Sequence, residues 1–83
     1  MCFDINLGCS GFVYGLCMSY SLIESGLNKV LLCVGDIASK IINPKDHTIA
    51  PIMGDAGSSI MVERKKSNSY FQLYSDGSGE NAL

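Results

Sequence analysis

The stretch from Asp4 to Leu16, DINLGCSGFVYGL, restricts the fold of this chain more than any other segment. It predicts a short strand, a glycine-containing turn and the start of a helix, with Cys9 at the junction. A helix N-terminus presents unpaired backbone N–H groups and the positive end of the helix dipole, and both favour a thiolate. Because the thiolate is the nucleophilic form of cysteine, the pattern favours a reactive thiol at Cys9.

Three small residues around Cys9 fit this interpretation. Gly8 would allow a sharp turn, Ser10 could cap the helix through its hydroxyl, and Gly11 would leave room beside the sulfur. The alternative is that Cys9 is an ordinary buried cysteine that packs as a small apolar side chain. Residue pattern alone leaves both interpretations open.

The remaining chain predicts an α/β order of elements. Apolar residues recur at steps of three and four from Ser10 to Ser25, at Phe12, Leu16, Tyr20 and Ile23, and predict a helix that Gly26 ends. After the helix, the pattern predicts a strand covered on both faces, a connection that begins with a loop or a short helical turn, a second buried strand, a basic turn and a half-exposed strand antiparallel to the second. The two buried strands are Val30–Val34 and Ser58–Glu63, and residues 36–53 connect them. The basic turn is Arg64–Ser69, and the half-exposed strand is Tyr70–Tyr74. A further strand is predicted before the helix, over Met1–Asn6.

Composition indicates that this pattern is part of a larger core. Hydrophobic residues make up 47% and charged residues 17% of the 83 residues, which is apolar for so short a chain. The order strand-helix-strand-loop-strand-strand supplies too few elements to cover both faces of a sheet. We therefore expect an incomplete sheet, with further elements missing on each side.

Charge and cysteine usage exclude several classes of function. A net charge of −2 argues against nucleic-acid binding, and the basic run Arg64-Lys65-Lys66 is expected to be a solvated turn. The four cysteines lie in apolar segments and are expected to be reduced thiols, with Cys17 and Cys33 in the core. A single histidine and no C-x-x-C pair offer little for zinc. With no apolar run of membrane length and no leader, a cytoplasmic protein is expected.

Five segments in order then point to a family: FDINLGCSGFVYGL, SGLNKVLLCVGD, INPKD, GDAGSSIMVE and SDGSG. Together they resemble β-ketoacyl-acyl-carrier-protein synthase III, a condensing enzyme of the thiolase fold. The resemblance implies that residues 1–83 are a fragment of the N-terminal thiolase-like half, with no complete second domain. The matching segments would supply the third, fourth and fifth strands of a five-stranded mixed sheet of order 3-2-1-4-5, which is thus incomplete in this chain. Its first two strands would then lie between the Asp4 strand and the Val30 strand.

The resemblance also implies a chemistry. Cys9 falls on the cysteine that takes an acyl group from acyl-CoA before attack by a carbanion derived from malonyl-acyl-carrier protein. The backbone N–H of Cys9 would supply half of the oxyanion hole. No cofactor is implied beyond acyl-CoA as substrate. The implied partners are malonyl-acyl-carrier protein and a second copy of the chain, paired through the strand before the cysteine.

Two further positions are implied to contact substrate. His47 follows Asp46 where the family usually has an arginine that stacks on the adenine of CoA, and Met53 replaces a frequent phenylalanine of the acyl pocket. The alternatives are an exposed loop histidine and plain core packing of the methionine. The family's catalytic histidine and asparagine belong to the second half, so the fragment alone is expected to be inactive.

Two other functions stay open. A relative within the thiolase superfamily would make a hydroxymethylglutaryl or polyketide-type product with the same fold. A catalytically silent oligomerising remnant would keep the fold and lose the reaction.

Overall fold

A computed structural model describes residues 1–82 of the chain. One helix and two strands form the regular structure: α1 (Gly11–Glu24), β1 (Lys29–Asp36) and β2 (Ala56–Glu63). Two 3₁₀ turns, Ala38–Lys40 and Ala50–Ile52, lie in the connection between the strands. The order confirms the α/β prediction, with the helix and both strands placed where the sequence pattern predicts them.

The two strands form an antiparallel ladder without a bulge. Its register runs from Lys29 opposite Glu63 to Asp36 opposite Ala56. Near its end Gly35 lies opposite Gly57, and a Cβ at Gly35 would stand 3.1 Å from the carbonyl oxygen of Ala56. Glycine therefore permits the close approach of the two backbones at this point.

The chain turns away from helix α1 at Gly26, two residues after its last residue Glu24, as predicted. Gly26 has a φ of 127°, a left-handed conformation that favours glycine. The N–H of Gly26 donates to the carbonyl of Ile23 at 3.2 Å, and the N–H of Leu27 donates to the carbonyl of Leu22 at 3.1 Å. These two bonds make a Schellman motif, which satisfies carbonyls at the helix end and turns the chain towards β1.

The face of α1 that packs on the sheet differs in part from the predicted one. Its buried residues are Gly15, Ser19 and Ile23, whereas Phe12 of the predicted apolar stripe is 42% exposed. A Cβ at Gly15 would lie 2.9 Å from the Cδ1 atom of Leu32, so the helix touches β1 through its smallest side chains. The predicted stripe is confirmed at Ile23, whereas Leu16 and Tyr20 are only half-buried. It was wrong at Phe12, because close approach to the sheet turns the small residues Gly15 and Ser19 towards β1.

Coverage of the sheet also differs from the prediction. Along β1 the residues that face α1, such as Leu32, are half-buried, whereas Leu31 and Cys33 on the other face are exposed. In β2 Val62 is buried, but most of the strand is exposed. For the chain by itself, the predictions of a strand covered on both faces and of a core position for Cys33 were wrong. The expectation that the chain has too few elements to cover both faces is confirmed, because no second layer covers the sheet within residues 1–82. Cys17 in α1 is half-buried, as expected of a packing residue.

Two predicted strands do not form in the described chain. Residues 1–7 have no ladder partner and are exposed. Tyr70–Tyr74 does not pair with β2, because this segment docks on α1 instead: the rings of Phe71 and Tyr20 meet edge to face with centroids 5.2 Å apart. Both segments carry strand-like residues, but a strand exists only where a neighbouring backbone pairs with it.

Candidate functional site

Cys9 lies in the turn that leads into α1. The N–H of Gly11 donates to the carbonyl of Gly8 at 2.7 Å and closes this turn. Cys9 lies one residue before the N-cap residue Ser10, and its side chain is exposed. The prediction of a thiol at the junction of turn and helix is confirmed in its placement. Burial of Cys9 as a packing residue, the alternative interpretation, is contradicted.

The small neighbours of Cys9 act differently from the prediction. Ser10 occupies the N-cap position, but its hydroxyl makes no capping hydrogen bond, so the predicted side-chain cap was wrong. Gly8 does not have a positive φ, and the turn therefore does not require a glycine there. A Cβ at Gly11 would meet only the Cβ of Leu7, at 3.7 Å, which is ordinary contact. The side of the turn that carries Cys9 is open.

A groove of about 830 Å³ runs beside Cys9, and we call it the N-terminal groove. Residues 1–5 and 7–9, one side of α1 and the whole of β1 form its walls, and Phe3, Leu7 and Phe12 give it apolar surface. The edge of β1 that borders it has no ladder partner within residues 1–82. The groove therefore offers both apolar surface and unpaired backbone groups, which suit an extended segment as well as a small molecule.

His47 and Met53 lie elsewhere, in the connection from residue 37 to residue 55. Both are exposed, and neither lines the N-terminal groove. Met53 is 50% exposed, which contradicts core packing as its role. The structure thus does not bring these two residues to the groove that Cys9 borders.

Asp46 orders the backbone next to His47. Its Oδ1 atom accepts hydrogen bonds from the N–H groups of Thr48 at 2.9 Å and Ile49 at 3.3 Å. These bonds, led by the one from Thr48, favour the ionised carboxylate and lower the pKa of Asp46 from its ordinary value. The N–H of Asp46 also donates to the carbonyl of Asn43 at 3.0 Å and closes a turn over residues 43–46.

Sequence reasoning missed a contact between Ser39 and Asp55. The N–H of Ser39 donates to the Oδ1 atom of Asp55 at 2.8 Å, and the Ser39 hydroxyl donates to Oδ2. The hydroxyl bond and then the backbone bond lower the pKa of Asp55. The available signal was an aspartate in the glycine-rich bend Gly54–Gly57, directly before a strand, where a carboxylate can accept hydrogen bonds from a facing turn.

No group of three or more potential metal ligands occurs in the part of the chain that the structure describes. The four cysteines are free thiols in this structure. Over the same residues, no helix combines the length and the apolar character needed to cross a bilayer.

Comparison with known proteins decides the family. The model of the 3-oxoacyl-acyl-carrier-protein synthase III family matches residues 3–77. The chain belongs to this family. The resemblance carried by the five sequence segments is thereby confirmed.

Relatives within the synthase III family are similar across nearly the whole chain. A Campylobacter jejuni protein provisionally named 3-oxoacyl-acyl-carrier-protein synthase 3 is 47% identical over 76 residues, which cover 90% of this chain and 22% of the relative. The β-ketoacyl-acyl-carrier-protein synthase III of Caldanaerobacter subterraneus is 40% identical, over 93% of this chain and 24% of the relative. The β-ketoacyl-acyl-carrier-protein synthase III of Fusobacterium nucleatum is 35% identical, over 99% of this chain and 26% of the relative.

The chain therefore spans about a quarter of the length of the curated relatives it matches, between 22% and 26% for these three. No solved structure matches it.

Proposed function

We propose that Cys9 is the acyl-accepting nucleophile of a condensing enzyme that initiates fatty-acid synthesis. Membership of the synthase III family supports the reaction class. The observation that carries the assignment is the placement of Cys9, which is exposed at the turn before α1. Activation of its thiol by the helix start stays part of the proposal.

The proposed reaction has two halves. In the first, the Cys9 thiolate attacks the thioester carbonyl of acyl-CoA, the C–S bond to CoA breaks, and the acyl group remains on Cys9 as a thioester. In the second, malonyl-acyl-carrier protein loses carbon dioxide, and the resulting carbanion attacks the acyl carbonyl. Cys9 leaves again as a thiolate, and the product is a 3-oxoacyl-acyl-carrier protein.

The backbone around Cys9 supports a role in both halves. Among residues 1–82, no hydrogen bond uses the N–H of Cys9 as donor. This group can therefore donate to the oxyanion of a tetrahedral intermediate without first breaking another bond. The N–H of Gly11, by contrast, is already paired with the carbonyl of Gly8.

Substrate contacts and partners complete the proposal. His47 would contact the adenine of CoA and Met53 the acyl chain, both from exposed positions on the connection between the strands. Malonyl-acyl-carrier protein and a second copy of the chain are the proposed partners, in the cytoplasm. The histidine and asparagine that assist decarboxylation would come from outside these 83 residues, so the chain by itself would not catalyse condensation.

Acylation of the intact protein tests the proposal. After incubation with acetyl-CoA, mass spectrometry of the intact protein and of its peptides should show one acetyl group on Cys9. Cys9→Ala should abolish the label, whereas Cys33→Ala should keep it, because Cys33 is also exposed but lies in a strand. Retained labelling of Cys9→Ala, or no labelling of the wild type, would overturn the role of Cys9.

None of the three relatives reported above carries a name of the hydroxymethylglutaryl or polyketide type. No observation on this chain favours that second reaction over the first.

A further inference from the structure

The connection between the two strands, residues 37–55, carries both proposed substrate contacts and has little packing of its own. It begins where the ladder ends, since Asp36 and Ala56 are the last paired residues. Its apolar side chains are largely unburied: Ile41 is 82% and Ile52 is 78% exposed. Packing on the core therefore does not determine where His47 and Met53 lie.

One long-range contact joins the beginning and the end of this connection. Ser39 donates two hydrogen bonds to the carboxylate of Asp55, across 16 residues of chain. Every other hydrogen bond of residues 37–55 in the described chain joins groups no more than four residues apart, such as Ala50 to Asp46 and Ile42 to Ala38. We call the pair of Ser39 and Asp55 the loop latch.

The loop latch joins two points that are themselves anchored. Ala38, next to Ser39, is only 5% exposed and belongs to the core. Asp55 directly precedes β2, and Met53 lies two residues before it. The latch therefore fixes the path of the chain from Met53 into β2 relative to the core, and it limits the freedom of the segment that carries His47.

We propose that the loop latch is a positioning pair that sets the affinity for the acyl-CoA donor by holding the loop of His47 and Met53 in its binding arrangement. The inference rests on the proposed function, because it presumes that this loop contacts acyl-CoA. Neither latch residue lines the N-terminal groove that Cys9 borders, so the pair would act through the loop and not on the reacting atoms. Without the latch, the loop is no longer held in its binding arrangement in the free protein. Part of the binding free energy must then order the loop, and the affinity for acyl-CoA falls.

Single-turnover acylation of Cys9 by acetyl-CoA in the intact protein tests this inference. Ser39→Ala and Asp55→Ala should each raise the half-saturating acetyl-CoA concentration by about fivefold, since a hydrogen bond to an exposed charged group contributes modestly. The double variant should rise no further than the single ones, because both remove the same contact. Ser39→Thr keeps the hydroxyl and should restore the wild-type value.

Three controls separate positioning from a general loss of structure. The maximal acylation rate and the rate of iodoacetamide reaction at Cys9 should stay at wild-type values in all latch variants. Asp76→Ala is the matched substitution, because Asp76 also accepts a hydrogen bond from a serine N–H, that of Ser78 at 2.9 Å, but lies outside the loop. Binding of acetyl-CoA to Cys9→Ala proteins, measured by calorimetry, should show the same fivefold loss without any reaction.

Different outcomes overturn different claims. An unchanged half-saturating concentration in both latch variants, with normal acylation of the wild type, overturns the latch inference alone. If the maximal acylation rate and the alkylation rate of Cys9 both fall in the latch variants, the contact is only structural, and the latch inference is also overturned. Absence of acylation in the wild type overturns the proposed function and this inference with it.

Discussion

Arg64 ties the end of β2 to the end of α1, although 41 residues separate it from Ile23. Its Nη2 atom donates to the carbonyl of Ile23, its Nε atom donates to the carbonyl of Leu27 at 3.3 Å, and its backbone N–H donates to the carbonyl of Asn28 at 2.9 Å. Carbonyls at a helix C-terminus lack intrahelical partners and carry partial negative charge. The expected solvated turn is therefore wrong for Arg64, which caps α1.

Lys65, which follows Arg64 in the basic run, agrees with the expected solvated turn. The side chain is 81% exposed, and its Nζ atom lies 3.6 Å from Glu63. Glu63 also pairs with Lys29 at 3.1 Å, and Lys29 is the first cause of its lowered pKa. Exposed pairs of this kind contribute little to stability.

We predict that Arg64→Ala lowers the free energy of unfolding of the intact protein by about 1–2 kcal/mol, because the carbonyls of Ile23 and Leu27 lose a charged donor. Arg64→Lys should recover only part of this loss, since a single ammonium cannot reproduce the guanidinium fork. Urea denaturation measures the difference. Lys66→Ala is the control, because Lys66 makes no hydrogen bond or ion pair within residues 1–82. Equal effects of the Arg64→Ala and Lys66→Ala substitutions would contradict the capping role.

At the scale of elements, the contact between Gly15 and Leu32 sets how closely α1 approaches β1. The buried hydroxyl of Ser19 stays satisfied at this interface, because it donates to the carbonyl of Gly15 at 2.8 Å. The same helix carries the turn of Cys9 at its start. The position of Cys9 relative to the sheet thus depends on small residues in the middle of α1.

Gly15→Ala and Gly11→Ala form a matched pair of substitutions in this helix. Alanine is a better helix former than glycine, but its Cβ at Gly15 would lie 2.9 Å from Leu32, against 3.7 Å from Leu7 at Gly11. In chemical denaturation of the intact protein, we expect Gly15→Ala to be less stable than Gly11→Ala by about 1 kcal/mol or more, because the interface is overpacked. Leu32→Val should relieve part of the loss. Equal stability of the two glycine variants would contradict a tight contact at Gly15.

At the scale of the whole molecule, the chain exposes far more surface than its mass predicts. A compact monomer of 8.9 kDa exposes about 4,800 Å², whereas this chain exposes 7365 Å². Its radius of gyration is 16.2 Å, against about 12 Å for a compact domain of this length. The apolar excess of the sequence is therefore not buried within the chain.

The 83-residue chain alone should accordingly lack a cooperative thermal transition and should self-associate as its concentration rises. Buried apolar area drives cooperative folding, and only Ile23, Ala38 and Val62 form the buried hydrophobic core of the described residues. Circular dichroism during heating and light scattering over a concentration series measure the two effects. A monomer with a sharp unfolding transition would show that the chain needs no further partner surface.

Local physics explains which parts of the fold the sequence predicts. The helix follows from apolar steps of three and four residues, its end from the left-handed conformation that Gly26 adopts, and the two strands from apolar runs bounded by glycine. The placement of Cys9 follows from the same local signals, because turn and helix start are adjacent in the chain. Five ordered segments were enough to indicate the family.

Sequence by itself thus determined the helix, the two strands, the position of Cys9 before α1 and the family. Only the tertiary structure decided that Met1–Asn6 and Tyr70–Tyr74 are not strands and that α1 packs through Gly15. It also decided that Arg64 and the loop latch join points that are distant along the chain. The physical reason is that a helix satisfies its hydrogen bonds within one segment, whereas strands, helix faces and long-range caps depend on which surfaces lie beside them.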